Sequence, residues 1–568
     1  MSRRNDVRAD ARSIRELAAE GASIREIQRQ LGWTFHRARE AWHSLNPAAK
    51  KPRTKAKAPP TPKAENAVRE KKKPVRISHI PVIDANLPRG VVHRFVVSGA
   101  QDDTPVFEPF LENLEAYAVH IGAQMFIGGY TYQLGLFEDH AAEANVYDSR
   151  IAPYLCHERV QITPDLLYLG NANILPTSSN PLNGWTTANR GGHVVIPHSR
   201  IAFESIPRMQ SQPPRYATTT GTVTRPNYTA RAAGQKGIFH HTYGALLIEI
   251  DVDGEVFMRH ITAQDDGSFQ DLDVFVSGGV VEDGKAVLAI TWGDVHHEQL
   301  DPVISVASWG CLPDGRFVTD DNLLDGLQPS YQFMHDTLDF RVRNHHDAKN
   351  PHQRARVLKQ TTDEVEDEVS AAAAFINGCS RDWCRTVMVE SNHDAALARW
   401  LACTDGQSDP ANAYYWHHLN ALWHRSIRSG SEVNIVETAM REAGLDEHVW
   451  FVPSGGSFVL AGVECGMHGD LGVGGSRGSP GQYRRFGPKT STGHTHTPKI
   501  VEGVFVAGVS ASLYQGYNKG PTTWAHAHIV LYHSGKRALI CMTSDGRFRA
   551  MGDRTTANYV DAPQALAA

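Results

Sequence analysis

Short hydrophobic runs alternate with segments of helical spacing through the chain from residue 85 onward. Runs typical of buried strands occur at 166–169, 193–196 and 245–250. Two more, at 94–98 and 123–127, flank a segment of helical spacing from Val106 to Ala118, which predicts a βαβ unit. The alternation of strand-like and helix-like segments indicates an α/β fold.

The second half of the chain continues this alternation. Gln353 to Ala374 is rich in charged residues and closes on alanines, which predicts a surface helix. Asp405 to Arg428 has an aromatic and histidine stripe at helical spacing. Ile529–Tyr532 and Ala538–Met542 predict a closing hairpin. Thr177 to Arg231, rich in Ser, Thr, Pro, Asn and Gly, is expected to form long loops.

Residues 1–46 have the pattern of three short helices. Ser23 with Glu26 forms a capping-box pattern, and Gly32 ends the second helix. The third helix would present Arg37 and Arg39 outward, so this unit resembles a helix-turn-helix of the resolvase or sigma-factor kind and predicts DNA contacts. A small helical cap or a protein-docking bundle would give a similar pattern.

Residues 47–84 form a segment dominated by lysine, arginine and proline. It includes the run Lys71, Lys72 and Lys73 and has no apolar periodicity, which indicates a disordered basic linker. Such a segment binds phosphates electrostatically, with strong salt dependence. The alternative is a tether that only adds solubility.

Composition changes this interpretation little. A chain of 568 residues with 41% hydrophobic and 21% charged residues predicts two to four globular units. The net charge of −5 hides a strongly basic start and an acidic remainder. The seven cysteines form no Cys-x-x-Cys pair, no run is long enough for a membrane span, and no signal peptide is evident, so we expect a cytoplasmic protein. A homo-oligomer is compatible with these features.

Five polar clusters carry the candidate chemistry. They are Asp294-x-His296 after an apolar run, Asp336-x-x-Asp339, Asn392-His393-Asp394, His468 in a glycine-rich turn, and His494-x-His496. Two histidines two residues apart reach the same point only from an extended or turning backbone. The last cluster alone would also fit a solvated loop. The five in this order indicate a metal site.

This order of clusters resembles the calcineurin-like metallophosphoesterase superfamily, which includes double-strand-break repair nucleases. The resemblance covers about residues 285 to 535. His335 stands before Asp336 and Ser391 before Asn392, where the superfamily usually has glycine. The resemblance implies a layered β-sandwich flanked by helices, and the two departures concern loop conformation rather than ligands.

The resemblance also implies a ligand set for two divalent ions. The first ion would take Asp294, His296 and His496, the second Asn392, His468 and His494, and Asp336 would bridge them. His393 would protonate the leaving oxygen, with Asp339 or Asp394 orienting it or supporting a ligand. The His, Asp and Asn donors favour manganese, iron or zinc over calcium, and the repair-nuclease likeness favours manganese; magnesium is also compatible.

These observations predict five segments: a helix-turn-helix (1–46), a basic linker (47–84), an α/β domain of unknown role (85–284), a metallophosphoesterase domain (285–545) and a tail (546–568). The layout resembles the early DNA-degrading and DNA-transfer nucleases of tailed bacteriophages. The resulting hypothesis is a metal-dependent DNase that degrades host DNA in the bacterial cytoplasm. The alternatives are a phosphoesterase for another substrate and a DNA-binding or DNA-transfer scaffold with an inactive phosphoesterase fold.

Overall fold

The computed structural model describes residues 87–132, 147–345 and 350–551, together with Leu17 and Ala19, which are helical. Ser78–Ala568 forms one compact unit and Met1–Ile77 forms another. The predicted helix-turn-helix with Arg37 and Arg39, the linker with Lys71, Lys72 and Lys73, and the tail beyond residue 551 lie outside the described residues. Within the described ranges, no helix combines the length and apolar character that crossing a membrane requires.

The described unit contains strands and helices in alternation. The strands are β1 (His93–Gln101), β2 (Gln124–Tyr130), β3 (Arg159–Thr163), β4 (Leu166–Leu169), β5 (His193–Ile196), β6 (Ala202–Ile206), β7 (Arg215–Thr219), β8 (Gly244–Ile250), β9 (Val256–Thr262), β10 (Phe269–Asp271), β11 (Val274–Ser277), β12 (Val280–Glu282), β13 (Ala289–Thr291), β14 (Tyr331–His335), β15 (Arg385–Val389), β16 (Trp450–Val452), β17 (Val459–Leu460), β18 (Val463–Glu464), β19 (Lys489–Thr492), β20 (Lys499–Val501), β21 (Val504–Val506), β22 (His526–Leu531) and β23 (Arg537–Met542). The α-helices are α1 (Glu108–His120), α2 (Ala232–His240), α3 (Pro302–Trp309), α4 (Leu323–Leu327), α5 (Pro351–Gln360), α6 (Val365–Cys379), α7 (Ala396–Cys403), α8 (Ala413–Ser429), α9 (Ile435–Glu442) and α10 (Pro480–Tyr483).

The strands form four sheets. The largest two have the orders β16-β15-β14-β13-β22-β23 and β17-β18-β19-β21-β20-β6-β7-β5-β4-β3. The smaller two are β2-β1-β8-β9 and β10-β11-β12. Together with the helices they give a mixed α/β fold, as the sequence predicts at this level.

The six-stranded sheet is covered on both faces. Ile290, Met334 and Met388 share one hydrophobic cluster with residues of α6, α7 and α9. Phe333 and Val387, on the opposite face, pack in a cluster with Val463 and Cys465 from the ten-stranded sheet region. This alternation follows from the period of two along a strand. The result is a layer of helices, a mostly parallel sheet and a second sheet behind it.

The ten-stranded sheet crosses residue 285, where the sequence predicts a domain boundary. β20 pairs antiparallel with β6, bringing Ile500 opposite Phe203. Residues 85–284 and 285–545 therefore share one sheet within one compact unit. Hydrophobic periodicity carries no information about pairing between strands that are almost 300 residues apart, so the sequence could not reveal this connection.

Several predicted elements are confirmed. β1, α1 and β2 form the βαβ unit, with β1 and β2 parallel. The closing hairpin is β22 and β23. The single helix expected at 353–374 is wrong, since α5 ends at Gln360 and α6 begins at Val365. Asp363, between the two helices, has a φ of 62°. Its carboxylate binds the guanidinium of Arg343, and this contact stabilises the interruption between the helices.

The loops expected between Thr177 and Arg231 also contain strands. β5, whose apolar run the sequence identifies, is followed by β6 and β7 in this stretch. β7 reads Arg-Tyr-Ala-Thr-Thr and all five residues are buried. Threonine is a good strand residue in a packed sheet, although a count of polar residues points to a loop.

A buried ionic network fastens the four-stranded sheet to β10. Arg259 donates to Asp271 at 2.7 and 2.9 Å and to Glu249 at 2.6 Å. Burial by itself would lower the pKa of Arg259, but the two carboxylates hold it well above its usual value. Both carboxylates are almost fully buried, and Asp271 has no other cation partner among the described residues.

Replacing Arg259 by methionine is expected to lower the free energy of unfolding by about 3–5 kcal/mol, because it leaves the buried carboxylate of Asp271 without a cation. Arg94 is the matched control, since it bonds the same Glu249 at 3.0 Å but its side chain is 30% exposed. Arg94→Met should cost no more than about 1 kcal/mol. Urea unfolding followed by circular dichroism measures both, and equal losses would contradict the role given to Arg259.

Candidate metal centre

Three parallel strands deliver candidate ligands to one edge of the six-stranded sheet. Asp294 and His296 follow β13, Asp336 follows β14, and Asn392 with His393 follows β15. The carboxyl ends of parallel strands meet at a single edge, so residues far apart in sequence come together there. Backbone bonding continues past the strand ends, where His296 N–H donates to Asp336 O at 2.7 Å.

The ten-stranded sheet delivers the remaining histidines. His468 follows β18, and His494 and His496 follow β19, which runs parallel to β18. Gly493 N–H bonds His468 O at 2.7 Å, and His494 N–H bonds the carboxylate of Asp294 at 2.8 Å. The two sheets therefore meet at the candidate centre.

Four of the predicted ligands form a compact buried group. Asp294, His296, Asp336 and His496 each offer one ligand atom, and these atoms all lie within 4.8 Å of one another. The Nε2 atoms of His296 and His496 are 2.9 Å apart. His496 Nε2 is also 3.2 Å from Asp294 Oδ2. Ring nitrogens and carboxylate oxygens that converge in this way could hold a divalent cation.

The other predicted ligands lie beside this group. His468 Nε2 is 3.1 Å from Asp336 Oδ2, and its ring centroid is 5.2 Å from that of His494. The side-chain oxygen of Asn392 and Nδ1 of His468 are buried without a hydrogen bond in the described part of the chain. Buried polar atoms are nearly always satisfied in proteins, so these atoms fit a site for a cation.

The carboxylates are held in the charged form. Burial raises the pKa of Asp336, but the charges of His468 and His393 outweigh it and leave that pKa well below its usual value. Burial lowers the pKa of His468, but Asp336 and Asp294 raise it to about 9. Asp294 and Asp336 also repel each other. The pocket therefore has a strong attraction for positive charge.

His393 lies at the accessible side of the group. Its side chain is 24% exposed, and its Nδ1 is 3.3 Å from Asp339 Oδ1 and 3.2 Å from Asp339 O. Asp339 also lies 3.2 Å from His296 Nδ1, so one carboxylate orients two imidazoles. Burial lowers the pKa of His393, but Asp336 and Asp339 raise it to about 10. This geometry leaves Nε2 of His393 as the nitrogen able to act on a substrate.

Asp394 has a different position from Asp339. Its carboxylate accepts bonds from Thr337 Oγ1 at 2.7 Å, Leu338 N at 2.9 Å and Ser391 N at 3.0 Å. These bonds tie the loop after β14 to the loop after β15. Asp394 therefore braces both ligand-bearing loops, and Asp339 is the carboxylate in contact with His393.

The two departures from the superfamily pattern have structural consequences. Ser391 Oγ accepts the N–H of Asp336 at 2.8 Å and donates to Val389 O at 2.9 Å, which joins the ends of β14 and β15. Asp336 itself has a φ of 46°, a conformation that a non-glycine residue adopts at some cost. His335 is fully buried, and burial with the charge of His468 lowers its pKa to about 4.

Backbone strain is concentrated at this centre. His296, Asp336, His494 and His496 all have positive φ, between 43° and 70°. Such conformations persist where the surrounding structure fixes them, and they cluster at functional sites. Gly493 allows the closest approach, because a Cβ there would lie 2.0 Å from Asp294 Oδ1.

Replacing Gly493 by alanine is expected to displace the Asp294 carboxylate and to weaken Mn²⁺ binding at least about tenfold, as loss of a supporting group does at metal sites. Gly481, in α10, is the matched control because a Cβ there meets nothing within 4 Å. Isothermal titration with Mn²⁺ measures both variants. Equal affinities for Gly493→Ala and Gly481→Ala would show that the close approach does not position Asp294.

Sequence reasoning missed the residues that flank the centre. The ring of Trp524 lies 4.1 Å from that of His496, and Tyr517 lies 5.7 Å from Trp524. Burial and the carboxylates Asp339, Asp336 and Asp294 raise the pKa of Tyr517, which places its hydroxyl in their field. Glu298 accepts the N–H of Asp339 at 2.7 Å. Of these residues, Glu298 alone gives a signal in the sequence, because it stands two residues after His296.

Comparisons with known proteins give one informative relative. The chain is 36% identical over 510 residues to a protein of Escherichia phage T5 named protein A1, with 87% of this chain and 90% of the phage protein covered. No family model matches the chain. No solved structure matches it. The resemblance to metallophosphoesterases therefore rests on the order of the polar clusters in the sequence.

Proposed function

Because this chain belongs to the same family as protein A1 of Escherichia phage T5, we propose that it is a phage-encoded phosphodiesterase that cleaves DNA with divalent metal ions. One observation carries the proposal above all. Ligand atoms of Asp294, His296, Asp336 and His496, from three separate loops, lie within 4.8 Å of one another in a buried pocket. Without a cation, such a buried group of ligand atoms would contribute little to the stability of the fold.

The residues fit a pair of ions. Asp294, His296 and His496 would hold the first, and Asn392, His468 and His494 the second. Asp336 would be shared, because a carboxylate has two oxygens that can face two ions. The atoms of Asp294, Asn392, His468 and His496 that are buried without hydrogen bonds support this assignment. Manganese is the proposed metal, with iron, zinc and magnesium as other candidates.

The chain's own groups complete the chemistry. Bound divalent ions supply Lewis acidity to the phosphate oxygens and activate water for attack. His393 would give its proton to the leaving oxygen, since its imidazole is partly exposed and is not among the proposed ligands. Asp339 would hold His393 and His296 in orientation through their Nδ1 atoms. Trp524 against His496 would limit access of bulk water on that side.

DNA is the proposed substrate for two reasons. Residues 1–76 are rich in lysine and arginine, whereas the rest of the chain has a net negative charge. The relative is a phage protein, which supports a bacteriophage origin. A phage nuclease would act in the cytoplasm of the infected host, where host DNA is the abundant phosphodiester.

Incubation of the full chain with plasmid DNA and Mn²⁺ tests this function. We expect degradation that EDTA abolishes and that returned Mn²⁺ restores, while a small phosphomonoester is hydrolysed far more slowly. Hydrolysis of the monoester alone would identify a phosphatase instead. DNA retention in a gel without turnover at any metal concentration would identify a binding scaffold.

A further inference from the structure

A cleft lined by positively charged side chains lies at the end of β19 that is farther from the metal centre. This cleft has a volume of about 470 Å³. Its cationic side chains are Arg200, Arg484, Arg485, Lys489, Lys536 and Arg537. Among the described residues that line it, Glu502 is the only carboxylate. We call it the basic cleft.

Glu502 does not neutralise the basic cleft. It pairs with Arg200 at 2.8 Å, and it also lies 3.9 Å from His240 and 4.0 Å from Arg484. One negative charge is thus shared between two arginines, with His240 beside them. Burial together with the charges of Lys536 and Arg537 lowers the pKa of Lys489, and the opposing effect of Asp265 does not cancel this shift, as expected where cations outnumber carboxylates.

Arg537 is a buried guanidinium that has no carboxylate partner in the described part of the chain. It is 4% exposed and donates to Thr490 O at 2.6 Å, Ser491 Oγ at 3.3 Å and Gly503 O at 2.6 Å. Its guanidinium also lies 4.1 Å from the ring of Phe505. Arg200, 5% exposed, has a buried Nε without a hydrogen bond among the described residues. Holding buried charge without a counter-ion is costly, so the site fits an external anion.

The basic cleft is joined directly to the metal centre. The chain leaves the centre at His468, passes through α10, and enters the cleft at Arg484 and Arg485. From Lys489 in the cleft, β19 returns to the centre at His494. Five residues of extended chain span roughly 16 Å, which is the length of about five base pairs of duplex DNA at about 3.4 Å each. Exposed Arg477 lies on the same connecting segment.

An exposed aromatic ring at the rim points to a nucleic acid. Phe239, the penultimate residue of α2, lines the cleft and is 82% exposed. A large exposed phenylalanine beside unneutralised cations matches the way single strands are held, with bases stacked on rings and phosphates on cations. A site for a simple inorganic anion would have no use for such a ring.

We propose that the basic cleft binds the phosphate backbone of a DNA strand about five nucleotides from the phosphodiester at the metal centre. This inference depends on the proposed function, since it assigns the path of the same substrate. A free nucleotide presents the same phosphate chemistry, so the experiment must separate strand from nucleotide.

The test compares two double variants of the full chain in EDTA, so that DNA is bound but not cut. Lys489→Gln/Lys536→Gln removes two cleft cations whose charges repel each other. Lys285→Gln/Lys359→Gln removes the same charge from exposed positions elsewhere. Fluorescence anisotropy gives the affinity for a labelled strand of about 30 nucleotides and for its duplex across a salt series.

The cleft variant should bind DNA at least about fivefold more weakly. The slope of log K against log salt should fall by about 1.4 for the single strand or about 1.8 for the duplex, while the control keeps the wild-type slope. The slope is proportional to the number of phosphate contacts, so losing two contacts lowers the slope even when other basic segments still bind DNA. Equal slopes for both variants on both DNAs would overturn the proposal, as would loss of labelled dAMP binding with DNA binding unchanged.

The same variants separate this inference from the proposed function. If plasmid DNA is degraded with Mn²⁺ but the cleft variant binds and cleaves like the control, the cleft assignment is wrong and the nuclease stands. If the cleft variant loses DNA affinity and no DNA is cleaved by the wild type, the cleft assignment stands and the nuclease is wrong.

Discussion

Replacing Asp336 by asparagine is expected to lower kcat for DNA cleavage at least about a thousandfold, because the shared ligand contributes several kcal/mol through the ions it positions. Asparagine keeps the shape of the side chain but removes the charge that faces His468 at 3.1 Å and His296 at 3.7 Å. The measurement is the initial rate of plasmid degradation at saturating Mn²⁺.

The fold should survive this change. The charge of Asp336 repels Asp294 but is attracted more strongly by His468 and His393, because the pKa of Asp336 lies well below its usual value, so losing this charge lowers the stability of the metal-free protein. Circular dichroism should therefore show a cooperative transition with a lower melting temperature without metal, and a smaller rise on adding Mn²⁺ than in the wild type. Asp283→Asn, at an exposed carboxylate paired with His120, is the control and should keep full activity. A fully active Asp336→Asn protein would remove Asp336 from the centre.

Replacing His393 by alanine has the second largest expected effect. Loss of a general acid lowers kcat by about a hundredfold to ten-thousandfold. Metal affinity should change little, since His393 is not among the proposed ligands. Steady-state kinetics with a defined oligonucleotide, together with Mn²⁺ titration, gives both quantities.

The leaving group distinguishes a general acid from a merely structural histidine. A nitrophenyl phosphodiester releases a stable phenolate that needs no proton, so His393→Ala should slow its hydrolysis much less than that of DNA. Asp339→Asn should give the same pattern more weakly, because it acts on His393 by position. Equal losses on both substrates would mean that His393 shapes the site rather than donating a proton.

The local elements of this chain are accessible from its sequence. Ala289 to Trp292 is a buried apolar run, and β13 occupies it before Asp294. The two histidines at 494 and 496 lie on a turning backbone with positive φ, one of the two conformations that their spacing allows. In both places a short stretch of sequence determines the direction of the side chains, because strand periodicity is local.

The long-range features are not accessible in this way. The pairing of β6 with β20 joins two segments that the sequence divides at residue 285. Trp524 and Tyr517 reach the centre from a loop with no polar cluster of its own. The role of Gly493 also depends on a contact with Asp294, which is 199 residues earlier in the chain. Each feature arises from tertiary packing, which no local pattern encodes.

Ser391, at a position where the sequence motif usually has glycine, shows what a motif alone does not reveal. The sequence predicts only an altered loop at position 391, yet Ser391 Oγ bonds Asp336 N and so connects two ligand-bearing loops. The sequence identifies the serine at position 391. Its hydrogen bond to Asp336 forms only because β14 and β15 lie side by side, which the sequence does not reveal.

Anomalous diffraction at the manganese edge, from crystals of the full chain grown with Mn²⁺, tests the central claim most directly. We expect two peaks, one among Asp294, His296 and His496 and one among Asn392, His468 and His494, with Asp336 in contact with both. Absence of any peak at these side chains, or a single ion with the second group empty, would contradict the two-metal centre.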